Sequence, residues 1–345
     1  MNIFKKPLLL IAASLFMVPL AQAQEGMAVY TDYLTDNYYL IHPSMAGAAH
    51  CAKVRLTAQR QWADQSDAPS LQTLSFNTRV GEQSGVGAIL FNDKNGYHSQ
   101  IGAKLTYAHH LNFSRSDYDL NQLSLGLSVG MFQTTLDETE FLDSGVVDPG
   151  VRGGVELKDQ YFNFDVGASY HYLDFYAHLT VKNLIAQKAD LYTDMESDNS
   201  RRYLLSAGYV FGNTYDYLGR SSGVTWEPSF MFQYAEETQE KKLDVNMKMY
   251  KDFDNGQFYA GISYRTTFDG AEYRMNVGDD VSKQYYHAVS PIIGIRYKNL
   301  MIGYTYTHHF GDIQFEKGGF HQLTLGFNFL CKDSVYRCNC PSVNF

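Results

Sequence analysis

The chain has 345 residues, with 28 basic against 37 acidic side chains and a formal charge of −9. That balance excludes a nucleic-acid partner, because nothing supplies the basic surface that phosphate binding needs. Aromatic residues make up 15%, glycine is frequent at 28 residues and proline rare at 8, a mixture suited to a large all-β protein.

From the amino terminus, Met1 to Lys6 is short and basic, and Leu8 to Leu20 is almost entirely apolar before Ala21-Gln22-Ala23. This is the pattern of a secretory signal peptide over residues 1–23, cut before Gln24. The apolar stretch is too short for a membrane span, and no cysteine follows the cut to take a lipid anchor. Cleavage removes Lys5 and Lys6 and no acid, leaving 26 basic against 37 acidic side chains and a charge near −11. Residues 24–51 form a segment of a different character, with Asp32, Asp36, Asn37, His42-Pro43 and Ala46-Gly47-Ala48-Ala49. Its tyrosines and leucines argue for burial, either inside a lumen or along a periplasmic rim.

Beyond it the chain alternates at period two. Phe162, Phe164, Val166, Ala168 and Tyr170 oppose Asn163, Asp165, Gly167 and Ser169; Leu323, Leu325, Phe327 and Phe329 oppose Gln322, Thr324, Gly326 and Asn328. Such segments are strands with one apolar and one polar face. They fall at 52–60, 70–80, 84–91, 98–112, 119–131, 161–170, 173–183, 201–211, 223–234, 243–250, 257–267, 287–297, 299–310 and 319–330. After the signal peptide no run reaches the roughly 20 apolar residues of a spanning helix. Strands that cross lipid must close on themselves. About fourteen antiparallel strands in one transmembrane barrel over 52–330, followed by a periplasmic tail over 331–345, is therefore the expected architecture.

A soluble sandwich also alternates, so the connections arbitrate. Those after the odd-numbered strands average about 14 residues and the others about 5, matching long extracellular loops and short periplasmic turns. The polar faces are rich in small residues and sparse in charge, as in Ser124, Gly126, Ser128 and Gly130 opposite Leu123, Leu125, Leu127 and Val129, which suits a lumen. Tyr107, Tyr170, Tyr209, Tyr264, Tyr297 and Tyr304 stand near strand ends, where aromatic girdles belong.

Chemistry-bearing residues are few. Cys51, Cys331, Cys338 and Cys340 should all lie on the periplasmic side, where disulfides persist; pairing within the tail or between Cys51 and the tail both remain open. The spacing of Cys338-Asn339-Cys340 with His50 does not suit a metal. Each member of His109-His110 and His308-His309 faces opposite to its neighbour, so neither pair chelates locally. No nucleophile elbow, zinc-protease helix, phosphate loop or dinucleotide fingerprint occurs, and the expectation is no catalytic, cofactor or metal site. Asn95-Gly96 reads as a tight turn, Trp62 as an interface anchor, and Arg60 and Gln61 as hydrogen-bonding groups of the lumen or first loop.

Several blocks resemble a known family. Tyr33-Leu34-Thr35-Asp36-Asn37 followed by His42-Pro43-Ser44-Met45-Ala46-Gly47, then Arg60-Gln61-Trp62 with Pro69, then Gly85-Val86-Gly87, Asn92-Asp93 and Gly96, and finally Tyr107-Ala108 and the Leu-Ser-Leu-Gly of 123–126, are similar to the PorP/SprF outer-membrane proteins. That family is associated with type IX secretion and gliding motility in Bacteroidetes. His42 stands where the family commonly has Asn, and Ser44-Met45 replaces an Ala-Tyr type of pair. The resemblance implies a noncatalytic component of the cell outer membrane, in contact with outer-membrane lipid, translocon components and a secreted cargo bearing a C-terminal secretion signal, such as an adhesin. Segments 132–160, 184–200 and 268–286 are the expected contact regions. The competing expectation is a fatty-acid-transporter-like channel for small solutes.

Overall fold

The computed structural model describes residues 34, 36–61, 68–114, 119–139, 155–185, 201–212, 223–236, 239–268, 271–273, 282–311, 319–332 and 343. The signal-peptide segment, Trp62, Cys338, Cys340 and most of the tail lie outside them.

The strands are β1 (Ala52–Gln61), β2 (Ser70–Val80), β3 (Ser84–Asn95), β4 (His98–Asn112), β5 (Asn121–Asp137), β6 (Glu156–Tyr172), β7 (Phe175–Lys182), β8 (Arg202–Tyr209), β9 (Val224–Ala235), β10 (Lys241–Phe253), β11 (Gly256–Thr267), the short β12 (Ala271–Tyr273) and β13 (Ser282–Gln284), β14 (Tyr286–Tyr297), β15 (Leu300–Gly311) and β16 (Phe320–Phe329). Fourteen of them form a closed antiparallel barrel, each paired with its neighbours along the chain; β12 and β13 make a separate ribbon within the connection from β11 to β14. The ring closes where β1 runs beside β16, with Ala52 opposite Phe329 and Gln61 opposite Phe320.

The alternation sorts as hydrocarbon on one side and a packed lumen on the other requires. Leu105 (64% exposed), Leu127, Leu179, Ile262, Ile293 and Leu323 face outward, uncovered by protein. Ser124, Ser128, Asn163, Asp165, Ser169, Asn246 and Thr324 face inward and are buried. A continuous apolar belt of this extent would be costly in water. All six tyrosines face outward. Tyr107, Tyr170, Tyr209 and Tyr297 sit toward the periplasmic ends of their strands and Tyr264 toward the opposite rim, while Tyr304 is nearer mid-strand.

Three sequence expectations need correction. First, β3, β5 and β6 run further than the apolar alternation does, because their outward positions turn polar at the outer ends while the ladder continues: Asp137 still pairs with Glu156. Residues 132–137 and 156–160 are therefore strand rather than loop. The β3–β4 connection shrinks to Gly96 and Tyr97, with Gly96 at φ +60°, the left-handed first position of a tight hairpin turn. Second, the eighth strand ends at Tyr209 rather than at 211, which lengthens a connection already expected to be the longest on the rim of tight turns, and Phe211 is held to Trp226 by an isolated bridge. Third, the inner face is sparse in charge only along strands such as β5. Elsewhere it carries paired ions, including Lys104 with Asp165 at 2.6 Å and Arg265 with both carboxylate oxygens of Asp244 at 2.6 Å.

Of the open cysteine pairings, Cys51 joins Cys331. The bond lies one residue beyond the first rung of the closing ladder on the β1 side and two on the β16 side, and Lys332 N donates to His50 O at 3.2 Å just past it. Both ends of the ring are thereby clipped at the periplasmic rim.

Two outcomes follow from this architecture. Replacing Leu127 by Arg places a charge on the hydrocarbon face near the middle of β5 and should destabilise the barrel by about 2–4 kcal/mol in a lipid-bilayer unfolding titration, whereas Ser128→Ala on the inner face should cost under about 1 kcal/mol. Reduction, or the Cys51→Ser change, should lower stability by about 2–4 kcal/mol and alter migration on a non-reducing gel.

Candidate functional site

The segment preceding β1 enters the lumen. Asn37, Tyr38, Tyr39, Leu40, Ile41, His42, Ser44, Met45, Ala46, Ala48 and Ala49 are all buried, most of them almost completely. Two single turns of 3-10 helix, Tyr38–Leu40 and Pro43–Met45, compact the chain into a plug. Pro43 opens the second turn, where its missing N–H costs nothing and its fixed φ suits the geometry. A backbone this short and irregular cannot satisfy itself, so the barrel wall supplies the partners.

The wall meets the plug in two different ways. Along β2 to β6 it is made of small residues that admit the backbone. A Cβ added at Gly126 would collide with the backbone of Pro43 and Ser44, and one at Gly85 with the Ala46 carbonyl. Gly47, at φ +65°, lies so close to β2 and β3 that its own Cβ would meet Thr78 O at 2.6 Å and Gly85 Cα at 2.7 Å. Around these contacts Ser44 bonds Ser169 at 2.6 Å, Gly47 N donates to Asn77 at 3.2 Å, and Arg79 Nε donates to Gly47 O at 3.0 Å. His110 Nε2 donates to Ala46 O at 3.0 Å, which leaves its Nδ1 to accept from Ser124 at 2.8 Å. Asn37 reaches Ser75 at 3.3 Å and Tyr39 reaches Thr106 at 2.9 Å.

On the opposite side the wall is charged. Asp36 lies 2.6 Å from Lys248 Nζ, forms an ion pair with Arg296, and accepts from Tyr250 OH at 2.9 Å. Lys248 also reaches Glu227 at 3.1 Å, and Glu227 accepts from Tyr38 at 3.0 Å, Tyr250 at 2.6 Å and Tyr176. The side chains of Asp36, Lys248, Glu227 and Arg296 are 5%, 1%, 1% and 7% exposed. Burial works to raise the Asp36 pKa, but Lys248 and Arg296 outweigh it and hold the carboxyl below its ordinary value. Between the two sides, His42 bonds Thr180 at 2.8 Å and Ser206 at 3.0 Å and stacks on His178 at 4.8 Å. Burial, helped by the positive charge of Lys182, pushes the His42 imidazole down to about 3, so it is neutral when docked.

The structure divides the motif residues between two places. Asn37, Pro43 and Gly47 belong to the plug. Of the other described ones, Gly85 and Gly126 line the plug, and the rest of the first loops' motif gathers at the opposite rim of β1 to β4: Arg60 faces outward and is exposed, Gln61 N donates to Pro69 O at 2.9 Å across the first loop, Asp93 lies on the inner face of β3, and Gly96 makes the turn. Sequence reasoning missed Lys248, Glu227, Arg296, Tyr176 and Tyr250. Part of their signal is present in the alternation, since Asp244, Asn246, Lys248 and Tyr250 all occupy the inward positions of β10, but their plug partners lie 138 to 260 positions away. Among the described residues no group of three or more His, Cys, Asp or Glu side chains is placed to hold a metal ion.

Over residues 22–327 the chain matches the family described as type IX secretion system membrane protein PorP/SprF. No curated relative matches it. Solved structures that resemble it include the CymD monoaromatic hydrocarbon channel (11% identity, 85% of this chain and 93% of that one, TM-score 0.46). A TodX deltaS2S3 mutant monoaromatic hydrocarbon channel (10%, 85% and 94%, 0.46) and the KdgM porin (7%, 80% and 99%, 0.34) are further examples. At these identities and scores the likeness bears on neither ligand nor mechanism.

Asp36→Asn should cost about 3–5 kcal/mol of stability, because Lys248 and Arg296 keep their buried charges and lose the carboxylate they share, Lys248 retaining only Glu227 as a carboxylate partner; chemical unfolding of the folded barrel measures this. Acid should loosen the plug. His42 is neutral when docked and has its ordinary pKa of 6.5 when released, so from 6.5 down towards 3 only the released form gains a proton. Docking then weakens by roughly 1.4 kcal/mol per pH unit. The Asp36 contribution, present above its ordinary 3.8, is lost only at still lower pH. Hydrogen exchange over residues 36–50, corrected for intrinsic rates, should be faster at about pH 5 than at about pH 7.5, and His42→Asn should reduce that difference.

Proposed function

Since the chain belongs to the PorP/SprF family of type IX secretion system membrane proteins, we propose that it acts as a noncatalytic outer-membrane component of that system, assisting export or surface attachment of a secreted protein such as an adhesin. The observation that carries this reading is the plug. A segment continuous with β1, bonded to β2, β4, β6, β7, β8, β9, β10 and β14, occupies the periplasmic half of the lumen. A barrel filled in this way offers surfaces rather than a passage. Its partners are translocon components and a cargo with a C-terminal secretion signal, met at the loop-bearing rim.

The segments proposed for those contacts are 132–160, 184–200 and 268–286, whose loop portions lie largely outside the described residues. A small-solute channel is the competing reading. The plug counts against an unobstructed axial path, because its residues bond to wall strands on opposite sides of the lumen.

Affinity purification of the tagged protein from gently solubilised outer membranes, followed by mass spectrometry, tests the proposal. Translocon proteins or a large secreted surface protein should be retained. Recovery of the barrel alone, together with solute conductance in planar bilayers, would favour the channel instead.

A further inference from the structure

Proline has no backbone N–H, and inside a sheet it removes a hydrogen bond from the ladder that its nitrogen faces. Among the described residues two prolines stand within barrel strands, Pro228 in β9 and Pro291 in β14, both at outward positions. Each keeps one neighbouring strand in register and interrupts the other. Pro228 stays opposite Met247 of β10, but the ladder to β8 stops at Gly208–Ser229, omits Tyr209–Pro228 and Val210–Glu227, and is regained only as the single bridge of Phe211 with Trp226. Pro291 stays opposite Ile262 of β11, but the ladder to β15 omits Ser290–Thr307 and Pro291–Tyr306 between Val289–His308 and Ile292–Thr305. Among the described residues every other ladder of the ring is continuous from its first rung to its last.

The two breaks enclose four successive strands of the ring, β9, β10, β11 and β14. These are the strands that grip the entrance of the plug. The partners of Asp36, which are Lys248, Tyr250 and Arg296, stand on β10 and β14. Glu227, which meets Lys248 and Tyr38, stands on β9 next to Pro228, at one of the lost rungs. Glu227, Lys248, Asp36 and Arg296 therefore alternate in charge from the strand of one proline to the strand of the other. Side chains also cross each break on the inner face: Tyr176 of β7 reaches past Gly208 to Glu227, and Ser290 bonds Thr307 at 2.8 Å. Without the plug carboxylate, Lys248 and Arg296 face each other as like charges, and the sheet has least to hold it along the two interrupted ladders.

We propose that β9, β10, β11 and β14 form a panel of the barrel wall that the seated plug latches through Asp36 and Tyr38, with the two proline breaks as its seams, so that release of the plug loosens the wall there and not elsewhere. This holds whatever meets the loop-bearing rim and does not rest on a role in secretion.

Hydrogen exchange read by mass spectrometry on the full mature barrel in detergent tests it, comparing amides beside the seams, at 205–211 and 303–309, with those of the unbroken β4–β5 ladder, at 101–111 and 122–131. Asp36→Asn should speed exchange at both seams by roughly five- to ten-fold more than in the β4–β5 ladder. Adding Pro228→Ala and Pro291→Ala, which return the two missing donors, should abolish that excess. Heat-modifiable migration on gels verifies that each variant is folded. Should any of these fail to fold, Tyr38→Phe removes the bond to Glu227 without unpairing a charge, and it should favour the same two seams by a smaller factor. Equal acceleration of all ladders, acceleration at neither seam or at one alone, or an excess that survives return of the donors, would overturn the assignment.

Discussion

In hydrocarbon a backbone N–H or C=O without a partner costs several kcal/mol, and a sheet that crosses lipid can tolerate no open margin. The ladder between β1 and β16 meets this constraint, ten residues of each strand running in register from Ala52–Phe329 to Gln61–Phe320, with the Cys51–Cys331 bond just beyond its periplasmic end. Every other feature presupposes that closure. It creates an inside and an outside, and it gives the period-two alternation two different solvents to answer to.

Closure also determines where the chain before β1 can go. That chain arrives at the periplasmic rim at Cys51, beside the mouth of the lumen, and turns inward. The lumen is shaped to receive it unequally. The strands from β2 to β6 carry Gly85, Gly126 and Ser169 because the backbone of Pro43 to Gly47 lies directly against them. The strands from β9 to β14 carry Glu227, Lys248, Tyr250 and Arg296 because Asp36 and Tyr38 enter there and need compensation. Small residues and buried ions are thus two halves of one socket. The ions give specificity more than stability, since their desolvation offsets much of their attraction, but they make any other seating of the plug expensive.

The same socket bears on how the wall is held. Around the rest of the ring each strand is tied to its neighbours rung by rung, and the two prolines interrupt those ties on either side of the strands that meet Asp36 and Tyr38. A lost rung is least costly where another interaction holds the strands, and the ion chain and the Ser290–Thr307 bond stand there.

How much of this was legible in sequence follows from the range of the interactions. The strand from 98 to 112 could be read end to end, because which face of a strand meets lipid is a local property repeated every second residue. The even strand number and the inward Ser124-Gly126-Ser128-Gly130 row followed from the same periodicity. The plug residues Asn37, Pro43 and Gly47 stood out through their resemblance to a family pattern, and their irregular spacing concealed the reason. For Arg60 the sequence left lumen and first loop open, and the strand register turns it outward at the end of β1. Sequence by itself determined the barrel, since hydrophobic periodicity and turn chemistry act over a few residues. Only tertiary structure decided that Asp36 meets Lys248 and Arg296, that Cys51 meets Cys331, and that Pro228 and Pro291 bracket the strands that hold Asp36. Those encounters join positions up to 280 residues apart, and they exist only once the strand registers are set.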